Sequence, residues 1–278
     1  MEITFLIDLV AVAGFFTYTG SFRNIGYILP LLISGSLASM ASGVFNNIYD
    51  TDIDAKMPRV SNRRQVVSAN RGKMIALLII LFTSSMIVGF RFLNYLSVVF
   101  IILGFISYAF LYTVVLKRRT DLNIVFGGIA GSFPALAGSA AINGTITPAA
   151  IFIAILVFVW TPTHFWSLAI KYKDDYKEAN IPMLPAVKGI SVTRSYILLN
   201  SVFLAIITIF PFVYPKIGLN LIYGIASIPL ALWILIPSYY YFRKKGEARE
   251  YRKLFSYTNG YLTLALILII ISSFSITF

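Results

Sequence analysis

The sequence has 278 residues, of which 58% are hydrophobic and 12% charged, with a net charge of +12 and no cysteine. Because soluble domains carry about 25% charged residues, this composition excludes an ordinary soluble protein, and the lack of cysteine excludes a disulfide scaffold and a thiolate metal site. His164 is the single histidine, which excludes a metal site built from several histidines of one chain. In so apolar a chain a positive charge indicates membrane topology, and we predict no nucleic-acid partner.

Nine apolar segments are predicted to cross the membrane as helices. Their apolar runs are continuous rather than alternating, which is typical of helical spans and not of a β-barrel. The predicted fold is an all-α integral membrane bundle of nine transmembrane helices with cytoplasmic cap loops, in a single domain over residues 1–278. The first segment is the weakest, because Asp8 interrupts it. The segments cover approximately residues 3–20, 25–49, 74–92, 95–116, 122–142, 147–171, 195–214, 217–242 and 259–277.

The basic residues lie on one side of the predicted membrane. All lysines and arginines except Arg23, Arg91 and Lys216 fall in the loops after the second, fourth, sixth and eighth segments. Loops rich in Lys and Arg are retained in the cytoplasm. We therefore expect an integral plasma-membrane protein with a cytoplasmic N-terminus and, for nine spans, an external C-terminus.

The segment Asn46–Asp54 follows the second apolar segment and reads Asn-Asn-Ile-Tyr-Asp-Thr-Asp-Ile-Asp. On a helix, Asn46, Asp50 and Asp54 share one face, whereas Asp52 points away and is expected to play a supporting or structural part. Oxygen ligands of this kind suit Mg²⁺, which is often shared with substrate phosphates. The basic residues that follow can neutralise phosphate charge, and they include Lys56, Arg59 and Arg63. The segment predicts a metal–diphosphate site; the alternative is a solvated helix end followed by membrane-anchoring cations.

A second acidic segment, Lys171–Pro185, follows the sixth apolar segment on the same predicted side of the membrane. Asp174 and Asp175 lie just past the span. Two carboxylate clusters that face each other across a helical bundle can hold Mg²⁺ around one diphosphate. We predict both residues as metal ligands and rank Asp175 above Asp174. The alternative is a solvated loop of mixed charge.

Several stretches of the sequence share the pattern of a known family. The first is Asn-x-x-x-Asp-x-x-x-Asp after the second span, together with an acidic loop after the sixth. Longer matching stretches are Asn46–Arg63, Tyr112 with Lys117–Thr120, Asn123 and Gly127–Gly128, Trp160–Ile170, and Asp175–Gly189. The chain resembles the UbiA superfamily of intramembrane prenyltransferases, and within it the branch that farnesylates haem. The resemblance covers about residues 25–200.

The resemblance implies an enzyme that moves the farnesyl group of farnesyl diphosphate to a vinyl group of haem B, with Mg²⁺ as cofactor. Together with the acidic patterns, it gives Asn46, Asp50, Asp54, Asp174 and Asp175 as metal ligands. The implied catalytic residues are Asp50, Asp54, Arg59, Arg63 and Lys117. The implied substrate contacts are Asn47, Lys56, Tyr112, Arg118, His164, Trp166, Lys173 and Tyr176. A haem A synthase or a terminal oxidase is an expected assembly partner within the lipid bilayer.

His164 lies in an aromatic stretch with Trp160, Phe165 and Trp166. A single histidine inside a membrane span marks a functional site by default. It is expected to contact the haem iron or a propionate, or to accept a proton. The alternative is a hydrogen-bonded packing residue with tryptophans that anchor the interface.

Two rival functions are open at this point. The first is a UbiA-type enzyme with another acceptor, such as an aromatic acid or a glycerol phosphate lipid. The Trp160–Trp166 and Ile181–Pro185 stretches argue against it. The second is a cation transporter that uses Asp50, Asp54 and Asp175. Transporters bind ions near the bilayer midplane, often between inverted repeats, whereas these acids lie at one membrane edge.

Overall fold

A computed structural model describes residues 2–54, 56–57, 61–244 and 250–274. The described residues contain helices and no β-strand. A π-helix, Ser107–Leu116, continues α6, and short 3₁₀ turns lie at Ile25–Tyr27, Gly128–Gly131 and Pro215–Ile217. The α-helices are α1 (Glu2–Thr19), α2 (Ile28–Tyr49), α3 (Thr51–Asp54), α4 (Ser61–Ala69), α5 (Arg71–Phe92), α6 (Tyr95–Ile106), α7 (Asn123–Gly127), α8 (Phe133–Ala140), α9 (Pro148–Lys171), α10 (Lys173–Glu178), α11 (Leu184–Val213), α12 (Leu221–Lys244) and α13 (Tyr251–Ser273).

Seven helical stretches of the described chain are long and apolar enough to cross a membrane. They confirm the all-α membrane fold, but the predicted count of nine spans is not confirmed. The first segment contains a shorter apolar stretch, Phe5–Thr19. The fifth is divided into α7, a 3₁₀ turn and α8. The physical reason is composition, because glycines at the end of α7 and in the turn, followed by Pro134, disfavour an uninterrupted helix.

Helix α9 lies at the centre of the bundle. Its side chains Ile153, Leu156 and Val157 are buried in a core that also contains residues of α1, α8, α11, α12 and α13. Burial on nearly all sides is expected for a helix that packs against other helices rather than lipid. The central position of α9 fixes the residues at its C-terminal end, where the second acidic segment begins.

Helices α1 and α8 cross at two glycines. A Cβ atom added to Gly14 would overlap the carbonyl oxygen of Ala135, and one added to Gly138 would overlap that of Ala11. Small residues allow membrane helices to approach this closely. Gly138, one of the small residues of the fifth segment, therefore has a packing role.

Helices α2 and α5 are joined by a reciprocal pair of serine hydrogen bonds. Ser34 Oγ donates to the carbonyl oxygen of Ser85 at 2.9 Å, and Ser85 Oγ donates to that of Ser34 at 2.7 Å. Both serines are fully buried. Such bonds hold helices together where water is absent, and they fix the helix that carries the first acidic segment.

The two acidic segments meet through an apolar cluster at one end of the bundle. Ile53 and Met57, next to the first segment, share this cluster with Tyr176, Ile181 and Met183 of the second. Beyond it, the chain enters α11, which is kinked at Gly189 with φ of +80°. Because side chains with a Cβ rarely adopt that conformation, glycine permits the kink. The apolar cluster thus brings the two predicted parts of the site together.

Candidate active site

The predicted shared face of the first acidic segment is confirmed. Helix α2 ends at Tyr49, yet the Asp50 N–H donates to the Asn46 carbonyl at 2.8 Å and the Asp54 N–H donates to the Asp50 carbonyl at 2.8 Å. The helical spacing therefore continues into α3. The side chains of Asn46, Asp50 and Asp54 are all buried, whereas that of Asp52 is exposed.

The Asp50 carboxylate is fully buried and neutralised by two cations. Lys117 Nζ donates to Asp50 Oδ2, and Arg118 Nη2 lies 3.3 Å from Asp50 Oδ1. Asn46 Nδ2 donates to Asp50 Oδ2 at 2.7 Å and also lies 3.2 Å from Thr113 Oγ1. A buried charge is tolerated only when it is paired and hydrogen-bonded. Asp50 is thus the centre of a built polar site that includes the predicted catalytic residue Lys117.

The π-helix positions the two cations. The Lys117 N–H donates to the Tyr112 carbonyl five residues earlier at 2.8 Å, and Thr113 Oγ1 donates to the Tyr108 carbonyl at 2.9 Å. Wide turns of this kind are rare and concentrate at functional sites. The sequence gives no signal for the π-helix, because Ser107–Leu116 has the apolar composition of an ordinary span.

Asp52 binds Arg118 with both carboxylate oxygens. Arg118 Nη1 donates to Asp52 Oδ2 and Nη2 to Asp52 Oδ1, each at 2.8 Å. Arg118 Nη2 also donates to the Tyr49 carbonyl at 3.1 Å, and the guanidinium lies 4.8 Å from the centre of the Tyr49 ring. The Arg118 guanidinium holds the pKa of Asp52 below its usual value, and Asp52 raises the pKa of Arg118. Asp52 points away from the buried face of Asn46, Asp50 and Asp54 (the acidic stripe), as predicted. The sequence did not predict its bond to Arg118.

The remaining residues predicted near the first segment take different positions. Asn47 is half-buried, and its carbonyl accepts a bond from Thr51 Oγ1 at 3.1 Å. Lys56 is exposed in a turn. Arg59 lies outside the described residues, and Arg63 lies on α4 in a stretch whose side chains are also outside them. The predicted roles of these residues stay predictions.

Tyr112 belongs to the π-helix, and Asn123 is the first residue of the neighbouring helix α7. Tyr112 is half-buried against the apolar cluster, and a Cβ added to Gly127 would lie 2.6 Å from its ring. Asn123 is fully buried, and its Nδ2 lies 3.4 Å from the Lys117 carbonyl. Glycine at position 127 therefore permits the contact between Tyr112 and α7, and Asn123 supports the backbone that carries Lys117.

The second acidic segment approaches the first through its apolar side chains. Tyr176 is buried in the shared cluster and Asp175 is half-buried. The side chain of Asp174 is 85% exposed and lies 3.8 Å from the predicted substrate contact Lys173. Within the described ranges, no three His, Asp or Glu side chains come together as a group that could hold a metal. The predicted pair of facing carboxylate clusters stays a prediction.

His164 is enclosed by aromatic rings and by α13. Its ring stacks against Trp160 and Phe255, each with centroids 4.2 Å apart, and its Nδ1 lies 2.9 Å from Thr258 Oγ1. The Phe165 ring meets the His164 ring edge to face with centroids 5.3 Å apart, and the whole residue is buried. The predicted role of His164 in substrate contact stays a prediction. Sequence reasoning missed Thr258 and Phe255, since they belong to an apolar helix without a motif.

Trp166 lies apart from His164, in a core cluster with Tyr241 and Tyr251. Its side chain is buried, its ring meets that of Tyr196 edge to face, and its Nε1 has no hydrogen-bond partner among the described residues. The structure therefore does not bring Trp166 together with the acidic stripe, and its predicted substrate contact stays a prediction.

Comparison with known proteins decides the family. The UbiA prenyltransferase family matches residues 9–260. The chain belongs to the UbiA prenyltransferase family. It is 45% identical over 275 residues to protoheme IX farnesyltransferase 2 of Picrophilus torridus, covering 96% of this chain and 93% of that protein. The family resemblance seen in the sequence is confirmed.

Solved structures of UbiA proteins share the fold of this chain. A digeranylgeranylglyceryl phosphate synthase structure has a TM-score of 0.77 and 12% identity, covering 98% of this chain and 96% of that one. A UbiA homologue from Archaeoglobus fulgidus bound to DMAPP and Mg²⁺ has a TM-score of 0.70 and 16% identity, covering 96% and 95%. At these identities the likeness establishes the fold alone, and it confirms the UbiA architecture.

The candidate site has oxygen atoms that fit a divalent metal. Asn46, Asp50 and Asp54 offer oxygen atoms on one buried face. Mg²⁺ commonly uses one or two protein carboxylates and completes its octahedral shell with water and substrate phosphates. A group of fewer than three carboxylates therefore suits a metal that arrives with a diphosphate, while Lys117 and Arg118 match the charge of that diphosphate.

Proposed function

We propose that this UbiA protein transfers the farnesyl group of farnesyl diphosphate to the vinyl group of haem B, forming haem O. The observation that carries the proposal is the buried Asp50 carboxylate with Lys117 and Arg118 around it. Carboxylates that accept a metal, beside cations that accept a diphosphate, are the groups that ionisation of an allylic diphosphate requires. The similarity to relatives named protoheme IX farnesyltransferase supports haem B as the acceptor.

In this proposal Asn46, Asp50, Asp54 and Asp175 hold Mg²⁺, with Asp174 a weaker candidate because of its exposure. The metal supplies charge stabilisation for the departing diphosphate. Lys117, Arg118, Arg59 and Arg63 neutralise the same charge, because cations aimed at a developing anion stabilise the transition state.

The bonds change as follows. The C1–O bond of farnesyl diphosphate breaks, diphosphate leaves with the electron pair, and the allylic cation is attacked by the haem vinyl group. A C–C bond forms, and the resulting cation next to the porphyrin ring takes the oxygen of water and loses a proton, which gives a hydroxyethyl group. Ile53, Met57 and Tyr176 cover this end of the bundle with apolar surface, and a dry site keeps water from the first cation.

The remaining substrate contacts belong to the same proposal. Lys56, Asn47, Tyr112, Lys173 and Tyr176 lie on or beside the two acidic segments and the π-helix, and they are the proposed polar and aromatic contacts of the substrates. For His164 the proposed roles are a contact with the haem iron or a propionate, or acceptance of a proton.

We also propose the plasma membrane as the location, with a cytoplasmic N-terminus, an external C-terminus, and a haem A synthase or terminal oxidase as assembly partner. The alternation of basic loops supports the orientation. The natural chain has no cysteine, so a single cysteine introduced in each loop can be labelled from one side of sealed vesicles. Labelling of the loop that contains Lys173 from the outside would overturn the orientation.

Acceptor competition tests the function. The purified protein is incubated with farnesyl diphosphate, Mg²⁺, haem B and 4-hydroxybenzoate, and products are identified by mass spectrometry. We expect haem O and no prenylated benzoate. Prenylated 4-hydroxybenzoate without haem O, or transfer to a glycerol phosphate acceptor instead, would assign the chain to another branch of the family.

A further inference from the structure

We infer that Asp52 is a positioning residue that keeps Arg118 at the diphosphate site while Asp50 changes its partners. The inference rests on the proposed function, because it concerns the same diphosphate. It gives a role to Asp52, the one acid of the first segment that lies outside the acidic stripe.

Asp50 must change partners during the reaction. In the structure its two oxygens contact Lys117, Arg118 and Asn46. A metal held by Asp50 would take the place of the cations at those oxygens, and a diphosphate beside it would attract the same cations. Binding would therefore be an exchange in which Lys117 and Arg118 give up their contacts with Asp50 and contact a phosphate.

The two cations are not equally anchored for this exchange. Among the described residues, Lys117 Nζ has Asp50 as its hydrogen-bond partner. Arg118 has a second set of contacts, made by both oxygens of Asp52 at 2.8 Å, by the Tyr49 carbonyl at 3.1 Å and by the Tyr49 ring. When Asp50 is withdrawn, Arg118 therefore stays in place, whereas Lys117 is free to follow the phosphate.

The chemistry of the pair suits positioning rather than stability. Arg118 is 32% exposed and Asp52 66% exposed, and exposed ion pairs contribute little to folding. Bidentate arginine–carboxylate geometry nevertheless fixes the plane of the guanidinium. A guanidinium that is already held in position loses less entropy when it binds a phosphate. We therefore expect the loss of Asp52 to lower the affinity for diphosphate.

The simple alternative is that the Asp52–Arg118 ion pair has only a structural role and holds α3 against the end of the π-helix. The two roles differ in a measurable way. Loss of a purely structural ion pair would lower thermal stability. It would change KM, kcat and the pyrophosphate constant together, or leave all three unchanged. A positioning residue acts through Arg118, so its removal has no further effect once Arg118 is already replaced.

The experiment compares Asp52→Asn, Arg118→Ala and the double variant in full-length protein. The measured quantities are KM for farnesyl diphosphate, kcat, and the dissociation constant of inorganic pyrophosphate, obtained by direct binding in the presence of Mg²⁺. We expect Asp52→Asn to raise KM and the pyrophosphate constant about tenfold, the size of one lost charge-assisted contact, with kcat changed less than about threefold. The double variant should match Arg118→Ala, and Asp52→Glu should restore most of the affinity.

Asp121→Asn is the matched control, because Asp121 forms a comparable ion pair with Lys188 at 2.9 Å. We expect it to leave all three constants unchanged. Additive effects of Asp52→Asn and Arg118→Ala, or unchanged constants in Asp52→Asn, would overturn the inference. Pyrophosphate binding is measured without any acceptor, so the inference fails or survives separately from the assignment of haem B.

Discussion

At the residue scale, the buried Asp50 carboxylate organises the site. It is fully buried and contacts an amide and two cations that come from distant parts of the chain. Lys117 and Arg118 neutralise its charge, and in the proposed reaction the same two cations supply the positive charge that a diphosphate needs. Asp50 thus has a structural role in the fold and a proposed role in the chemistry, and variants can separate the two.

Replacing Asp50 by asparagine tests the chemical part. We expect Asp50→Asn to lower the rate of farnesyl transfer by about 100-fold or more, because a metal ligand is lost and Lys117 and Arg118 are left beside a neutral amide. The variant should also unfold at a lower temperature, since breaking a buried ion pair leaves a charge without a partner. Steady-state kinetics and thermal unfolding in detergent measure the two effects.

The double variant Asp50→Asn, Lys117→Met serves as the control for folding. Removing the unpaired lysine should recover part of the unfolding temperature and none of the activity. Wild-type activity in Asp50→Asn would mean that the acidic stripe does not hold the metal.

At the element scale, much of the site could be predicted from the sequence. The spacing of Asn46, Asp50 and Asp54 predicts a common face because helical periodicity is local, and the hydrogen bonds across position 50 preserve it. Partners separated by tens of residues are not encoded in such a pattern. The contact of Lys117 with Asp50 depends on the π-helix, whose apolar residues look like any other span.

The divided fifth segment is another feature that local sequence patterns do not predict. Apolar composition predicts a span over residues 122–142, but the segment is divided at its glycines. The His164–Thr258 contact likewise joins α9 to α13 through tertiary packing. Periodicity identifies which residues share a helix face, whereas the neighbour that each face meets is set by the whole bundle.

The α1–α8 crossing gives a prediction about an element. We expect Gly138→Val to lower the unfolding temperature in detergent, because an added side chain overlaps the carbonyl oxygen of Ala11 and overpacking costs about 1–3 kcal/mol. Gly35→Ala is the control, since nothing lies within 4 Å of a Cβ added there. Equal unfolding temperatures for wild type and Gly138→Val would contradict the close crossing.

At the scale of the whole molecule, the fold brings two acidic segments to one end of a membrane bundle. Helix α9 runs through the core, and the cluster that contains Ile53 and Tyr176 joins the segments. The described carboxylates do not complete a metal centre by themselves. In the proposed function the phosphates of the substrate complete the coordination of the metal, so metal and farnesyl diphosphate are expected to bind together.

The dependence of haem O formation on Mg²⁺ tests this account most directly. Purified protein is freed of divalent ions with a chelator, supplied with haem B and farnesyl diphosphate, and titrated with Mg²⁺ while haem O is quantified. We predict that no haem O forms under chelation, and that added Mg²⁺ restores it in wild type but not in Asp50→Asn. Haem O formation that is equally fast with and without chelator would contradict the metal–diphosphate site.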